Sequence, residues 1–299
     1  MDSLPFGRPG KFYKGNLHTH STNSDGVHAP DKVIDLYREQ GYDFLALSDH
    51  FMDDYAFPVS DTRHLRTDDF TTITAAELHV GHTKIKELWH ILAIGIPVDF
   101  APPQPDETAP EIAQRAADAG AFVGIVHPGW YGLTIDDAKT ITAAHAVETY
   151  NHGSAIEVDR GEDWPFLDQM LNDGHRLSGF ATDDAHLMTH DWLGGWTMVH
   201  ADELDPDKLV ESLKAGRYYS SQGPEIHNVE VTDSEIRIEC SPAAIISAQG
   251  KGSRSTPAMG DGITSASFSL DRFRDGDYIR LTVRDADNKK AWTNPIWLN

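Results

Sequence analysis

The chain has 299 residues, 39% hydrophobic and 24% charged, the make-up of a globular protein large enough for one barrel-sized unit plus a small module. Its formal charge of −22 opposes the phosphate backbone of nucleic acid, and its single cysteine, Cys240, excludes both an intrachain disulfide and a thiolate metal site. No apolar run approaches the roughly 18 residues of a membrane span, and the opening MDSLPFGRPG lacks the charged-then-apolar profile of a secretory signal, so a cytoplasmic protein without nucleic-acid or membrane partners is expected.

From about Tyr13 to Ser221, short β-prone apolar runs alternate with amphipathic helical stretches, the pattern of repeated β-α units. Strands are expected in GNLHTH, DFLALSDH, TITAAEL, HILAIGI, AFVGIVHP, HAVETYN, LSGFATDD and GWTMVH, a count that favours a barrel over an open sheet. Pro30 suits the first turn of a helix with Val33, Leu36 and Tyr37 on one face and Gly41 at its end. A second helix is expected from Glu111 to Ala119, closing on Gly120, and a third from Pro206 to the stop at Gly216. Beyond about Pro224 the texture changes to short alternating runs, VEVTDSEIRIEC, AIISAQG, SASFSLDRF and DYIRLTVRDADNKKAWTNPIWLN, the signature of antiparallel strands with one solvated face. Residues 1–223 are therefore expected to form one domain and 224–299 a small β-rich, sandwich-like one.

Sixteen histidines stand against the one cysteine, so any metal must sit on nitrogen and oxygen. The first signal is His18-Thr19-His20, followed by Ser24-Asp25-Gly26: side chains two apart on a strand point the same way and can reach one ion together. His50, Glu77 and His127 each close a strand-like run, where α/β barrels collect catalytic side chains. His90 begins its run instead, which is consistent if that strand lies antiparallel to the one ending at Glu77. Asp184 and His186 form a second pair of this spacing just past LSGFAT. Nine ligand-type side chains thus converge on one mouth.

The ordered phrases GNLHTHSTNSDG, LALSDH, AEL with WHILAIG, IVHPG and TDDAH resemble the successive metal-binding motifs of the polymerase-and-histidinol-phosphatase (PHP) superfamily over residues 14 to 223. GRYYSSQGPEI leading into a β-rich tail resembles the carbaryl-hydrolase-like branch. The resemblance implies an α/β fold, a distorted (β/α)7 barrel, holding two or three divalent ions, with zinc, manganese and iron all suited to such ligands. By that resemblance His18, His20, Glu77 and Asp184 hold one ion, Glu77, His90 and His127 a second, and Asp25, His50 and His186 a third, with Glu77 bridging the first two. Some family members carry histidine where this chain has Asp25.

Around this cluster, Asp49 and Asp183 neighbour ligands and are candidates to accept hydrogen bonds from imidazoles. His152 is a candidate general acid for the leaving group, and Arg160 a candidate anion clamp or, alternatively, a surface ion-pair partner of Glu157 or Glu162. With Glu77 and Asp184 these complete the expected catalytic set, while Trp130 is a candidate wall of the pocket. His28, His64, His79, His82, His145, His175, His190, His200 and His227 receive no role. The expected function is hydrolysis of a small phosphate ester through a metal-bound hydroxide, with an anionic small-molecule substrate. The alternatives are hydrolysis of a carbamate, carboxylic ester or amide, and a non-catalytic metal-binding or sensing protein.

Overall fold

A computed structural model of the chain describes residues 4–298. The strands of the first part are β1 (Lys11–Asn16), β2 (Phe44–Leu47), β3 (His50–Phe51), β4 (Thr71–Leu78), β5 (Ile91–Ile94), β6 (Phe122–Ile125), β7 (Ala146–Asn151), β8 (Ser178–Thr182), β9 (Trp196–Ala201) and β10 (Tyr218–Ser221). β2, β5 and β6 are buried along their whole length, as near-continuous apolar runs covered on both faces should be. Parallel ladders join β1 to β2, β2 to β4, β6 to β7 and β7 to β8. β5 runs antiparallel to both β4 and β6, the orientation that the position of His90 requires.

The expected helices are α1 (Pro30–Glu39), α2 (Ala109–Asp118) and, later in the chain, Pro206–Lys214. α1 buries Val33, Ile34 and Tyr37, and the chain leaves it through Gly41 at φ +74°, a left-handed conformation suited to glycine. α2 starts two residues before Glu111, because Thr108 and Glu111 close a capping box. Three further helices, α3 (Ile135–Ala138), α4 (His152–Val158) and α5 (Trp164–Asn172), precede the last, α6, at Pro206–Lys214. α4 and α5 have no counterpart in the sequence reading: α4 starts on the residue after β7, leaving no turn signal between strand and helix. The sequence does carry the stripe of α5, since Trp164, Leu167, Met170 and Leu171 fall at helical spacing and are buried.

The rest of the sheet is β11 (Ile226–Val231), β12 (Glu235–Gly250), β13 (Ser255–Ser269), β14 (Tyr278–Arg284), β15 (Lys290–Thr293) and β16 (Ile296–Trp297). IRIEC and AIISAQG form the single strand β12, not two, and SASFSLDRF contributes the end of the longer β13. Register shifts after Glu239 and Ala243 interrupt the alternation between them, so one bulged hairpin has the sequence texture of separate short strands. These strands enclose their own apolar cluster, including Ile236, Ile238, Ile246, Phe268, Phe273 and Leu281.

β15 pairs antiparallel with β10, and β10 with β9, which itself pairs with β1. The strands therefore make one 16-stranded sheet, and the fold is mixed α/β with that large sheet and few helices. β8 approaches β9 and β10 through side chains, with Thr197 Oγ1 donating to the Ala181 carbonyl at 2.9 Å and Ser220 Oγ to that of Gly179 at 3.2 Å. Asn294 ties the tail to this seam: its Oδ1 accepts from the Gly179 N–H at 2.9 Å, and its Nδ2 donates to the Gly216 and Tyr218 carbonyls at 3.1 Å. Among the described residues no helix is long and apolar enough to cross a membrane.

Candidate metal centre

The nine side chains singled out by the sequence come together. His18 and His20 lie just beyond β1 rather than within it, in an extended segment whose middle residue, Thr19, bridges to Ala185. That bridge sets the His18–His20 pair beside the Asp184–His186 pair. His50 opens the short β3, which runs parallel to β4 so that His50 and Glu77 are register partners. His127 follows β6, and both His127 (φ +29°) and Asp184 (φ +55°) hold left-handed backbone that non-glycine residues adopt at a cost of about 1–3 kcal/mol each. Hydrogen bonds hold them there: the Asp184 N–H donates to the His18 carbonyl at 2.9 Å, and the His127 N–H to Glu148 Oε2 at 2.7 Å.

Glu77 sits at the centre, fully buried. Its Oε1 lies 2.7 Å from His90 Nδ1 and 3.1 Å from His127 Nε2, while Oε2 lies 2.7 Å from His50 Nδ1, 3.5 Å from His18 Nε2 and 3.7 Å from His20 Nε2. Asp184 Oδ1 faces His20 Nε2 at 3.0 Å and His18 Nε2 at 3.2 Å. Asp25, half exposed, faces His50 at 3.4 Å, His186 at 3.5 Å and His20 at 4.0 Å. The donor atoms form overlapping groups with spacing that suits divalent cations: His18, His20 and Glu77; Glu77, His90 and His127; and His20, Asp25, His50 and His186.

The electrostatics agree with that donor set. Burial alone would raise the Glu77 carboxyl, yet the facing His50, His90, His79 and His18 hold it well below the usual carboxylate range. Asp184 is likewise lowered against its burial, by His18, His20 and His186. Burial pushes His20 down to about 3, helped by His186 and His50, and pushes His90 down to about 4, so both rings are neutral at neutral pH, the form that ligates metal. His50 moves the other way, up to about 10, because Glu77 and Asp25 outweigh its burial. His18 Nε2 and Glu77 Oε2 are buried without a hydrogen-bond partner, and both point into the cluster. Buried donor atoms without hydrogen bonds at the centre of an imidazole-carboxylate group fit a divalent cation.

Other side chains support this cluster, and the sequence reading missed Glu148, Asn151 and His79. Glu148 accepts from His18 Nδ1 at 3.0 Å, from the Thr182 hydroxyl and from Asn151 Nδ2 at 3.0 Å, and Asn151 also donates to Asp184 Oδ2 at 3.0 Å. A charged residue inside the wholly buried β7 was the available signal. His79 places its Nε2 2.8 Å from His50 Nδ1.

The remaining candidates have partners of other kinds. Asp49 accepts from the Ser21 N–H at 2.7 Å and from the Ser24 and Ser60 hydroxyls at 2.9 and 2.6 Å, bracing the His20–Asp25 loop. Asp183 accepts from Asn16, Tyr37 and the Leu193–Gly195 backbone at 2.8–2.9 Å. His152 Nδ1 lies 2.9 Å from the Tyr150 hydroxyl, and its ring packs on Gly194. Arg160 donates to the Trp130 carbonyl at 3.1 Å, whereas Glu157 and Glu162 pair with His190 and Lys290. Trp130 is 42% exposed, its ring 5.2 Å from that of His127, and it lines a cleft of about 390 Å³ with Asp25, Asp184 and His186.

No family model and no curated protein matches the chain. Among solved structures the chain is similar to a two-domain protein containing a predicted PHP-like metal-dependent phosphoesterase from Bacteroides vulgatus, with 16% identity and a TM-score of 0.56 over 98% of this chain and 97% of that one. It is also similar to a protein provisionally assigned as a metal-dependent phosphoesterase from Bifidobacterium adolescentis, with 14% identity and a TM-score of 0.41 over 57% and 87% of the two chains. A third is an amidohydrolase from Chromobacterium violaceum with bound sulfate and no metal, with 15% identity and a TM-score of 0.44 over 68% and 96%. The first likeness runs nearly end to end in both chains and shows that this chain has the fold of that two-domain protein.

Proposed function

We propose that the chain is a PHP-type metal-dependent hydrolase that cleaves a small, anionic phosphate ester. The observation that carries this reading is Glu77, a fully buried carboxylate whose two oxygens serve two different sets of imidazoles. A divalent metal bound in such a site supplies Lewis-acid polarisation and activates water near neutral pH. On this reading His18, His20, Glu77 and Asp184 hold one ion, Glu77, His90 and His127 a second, and Asp25, His50 and His186 a third, with zinc, manganese and iron all compatible with the donors.

Residues 1–223 are read as the distorted (β/α)7 barrel, with residues 224–299 as the C-terminal domain. The rest of the machinery belongs to side chains that orient and shield. Glu148 holds His18 by its Nδ1 and so leaves Nε2 facing Asp184 and Glu77. Arg160, which donates to the Trp130 carbonyl, is read as the clamp for an anionic substrate. The phosphoesterase preference rests on this arginine and on the description of the Bacteroides vulgatus protein. The carbaryl-hydrolase-like branch rests on the sequence of residues 216–226 alone.

The test is elemental analysis of the purified protein combined with a screen of phosphate monoesters, phosphodiesters, aryl carboxylic esters and carbamates. Bound divalent metal with turnover of a phosphate ester is the expected result. Turnover of the carbonyl substrates alone would move the assignment to carbamate, ester or amide hydrolysis, and metal binding without any turnover would favour a sensing role.

A further inference from the structure

We propose that His79 is a positioning residue that fixes the tautomer of His50 and so shapes the cation site formed by His20, Asp25, His50 and His186. The inference rests on the metal-centre reading above and adds to it a residue that neither the sequence motifs nor the fold likeness assigns. His79 follows Glu77 by two positions and its side chain is buried, 2% exposed.

Its Nδ1 lies 3.0 Å from the Trp89 carbonyl oxygen. A carbonyl only accepts, so that nitrogen carries the proton, and the other nitrogen of the neutral ring, Nε2, is left with its lone pair. Nε2 lies 2.8 Å from His50 Nδ1. Two nitrogens at that distance share one proton, which therefore belongs to His50 Nδ1. The remaining nitrogen of His50, Nε2, is then the one free to ligate, and it points toward Asp25 Oδ2 at 3.4 Å. The Trp89 carbonyl thus sets His79, and His79 sets His50.

Glu77 Oε2 also lies 2.7 Å from His50 Nδ1, but it makes no hydrogen bond there, whereas His79 Nε2 does. That oxygen also belongs to the His18–His20–Glu77 donor group, which would hold a cation of its own. His79 Nε2 is the acceptor that remains. Without it the His50 proton is free to move to Nε2, which removes one ligand from the Asp25 site and leaves the His18–His20–Glu77 and Glu77–His90–His127 groups intact.

The geometry admits one rival: His79 Nε2, His50 Nδ1 and Glu77 Oε2 are themselves spaced to hold a cation directly. Two substitutions separate the readings. In His79→Asn the side-chain amide can keep the bond to the Trp89 carbonyl but is too short to reach His50. In His79→Gln the amide oxygen stands near the former Nε2 and can accept from His50 Nδ1, although it is a poor metal ligand.

The experiment is cobalt titration of the full-length protein followed by absorption, with elemental analysis of the loaded wild type and both variants. His79→Asn should weaken one ion about 10–100-fold, while the others bind as in the wild type. His79→Gln should bind close to the wild type. Equal loss in both variants would make His79 a ligand, and unchanged binding in His79→Asn with only a lowered melting temperature would make it a packing residue; either result overturns the proposal. A wild type that takes up no divalent ion would instead remove the metal-centre reading on which it rests.

Discussion

His18 Nδ1 and Glu148 Oε1 lie 3.0 Å apart, both side chains wholly buried. The pair presents His18 Nε2 to Glu77 and Asp184, and the other Glu148 oxygen accepts from the His127 backbone, so one carboxylate places two imidazoles. Glu148→Gln puts an amide where both contacts need an acceptor. Its oxygen can satisfy one of them, leaving an N–H against the other donor. Metal affinity should fall about 10–100-fold with the fold retained; unchanged affinity by metal titration would show that Glu148 only fills space.

Glu77→Gln removes the negative charge that faces His50, His90, His127 and His18. Loss of turnover and of more than one equivalent of metal is expected, because the same carboxylate belongs to several donor groups. Full metal loading with normal turnover, measured by elemental analysis beside a rate assay, would exclude a bridging role.

The ligand-type residues were legible because motif spacing and strand ends are local features: His18 with His20, and Asp184 with His186, need only the two-residue repeat of extended chain. Even so, the chain places these pairs past the ends of β1 and β8, joined by the Thr19–Ala185 bridge. What supports them was less legible. Glu148 acquires its role from a backbone N–H just past another strand, and His79 from a carbonyl ten residues on, contacts that no periodicity encodes. The same holds for the sheet: β10 pairs with β15 some seventy residues later, a register set by tertiary packing, whereas the change of texture near Pro224 only marks where the antiparallel strands begin.

Asp25 separates a three-group centre from a simpler one. Its carboxylate faces His20, His50 and His186. Asp25→Ala should remove one ion while the groups that share Glu77 stay filled, and should lower kcat more than it raises KM if that ion acts chiefly in the transition state. Unchanged stoichiometry with reduced thermal stability would return Asp25 to the role of a turn residue before Gly26.

Asn294 tests the seam between the tail and the rest of the sheet. Its amide satisfies three buried backbone groups, at Gly179, Gly216 and Tyr218. Asn294→Ala leaves them unpaired, which costs on the order of 1–3 kcal/mol for each buried group left unsatisfied. A lower melting temperature with unchanged metal content is expected. The described ligand groups end at His186, so a loss of metal in folded Asn294→Ala would mean that the tail helps to shape the centre.

Asp163 gives a pH dependence. Burial pushes its carboxyl up to about 7, against the lowering effect of the Gly129 N–H, and its Oδ2 has no partner. The unfolded chain releases this proton near 3.8, whereas the folded chain keeps it until about 7. Between those values the folded state binds more protons, so this group's contribution to stability is fully present below about pH 4 and is lost as pH rises toward 7. Asp163→Asn keeps an oxygen for the Gly129 N–H and removes the titration. The melting temperature of Asp163→Asn minus that of the wild type should therefore grow more positive from pH 4 to 7 and level off above it. The difference between the two proteins is the quantity to follow, because metal release and the other carboxyls affect both curves alike. Parallel curves across this range would show that the Asp163 carboxyl is already ionised in the folded protein at acidic pH.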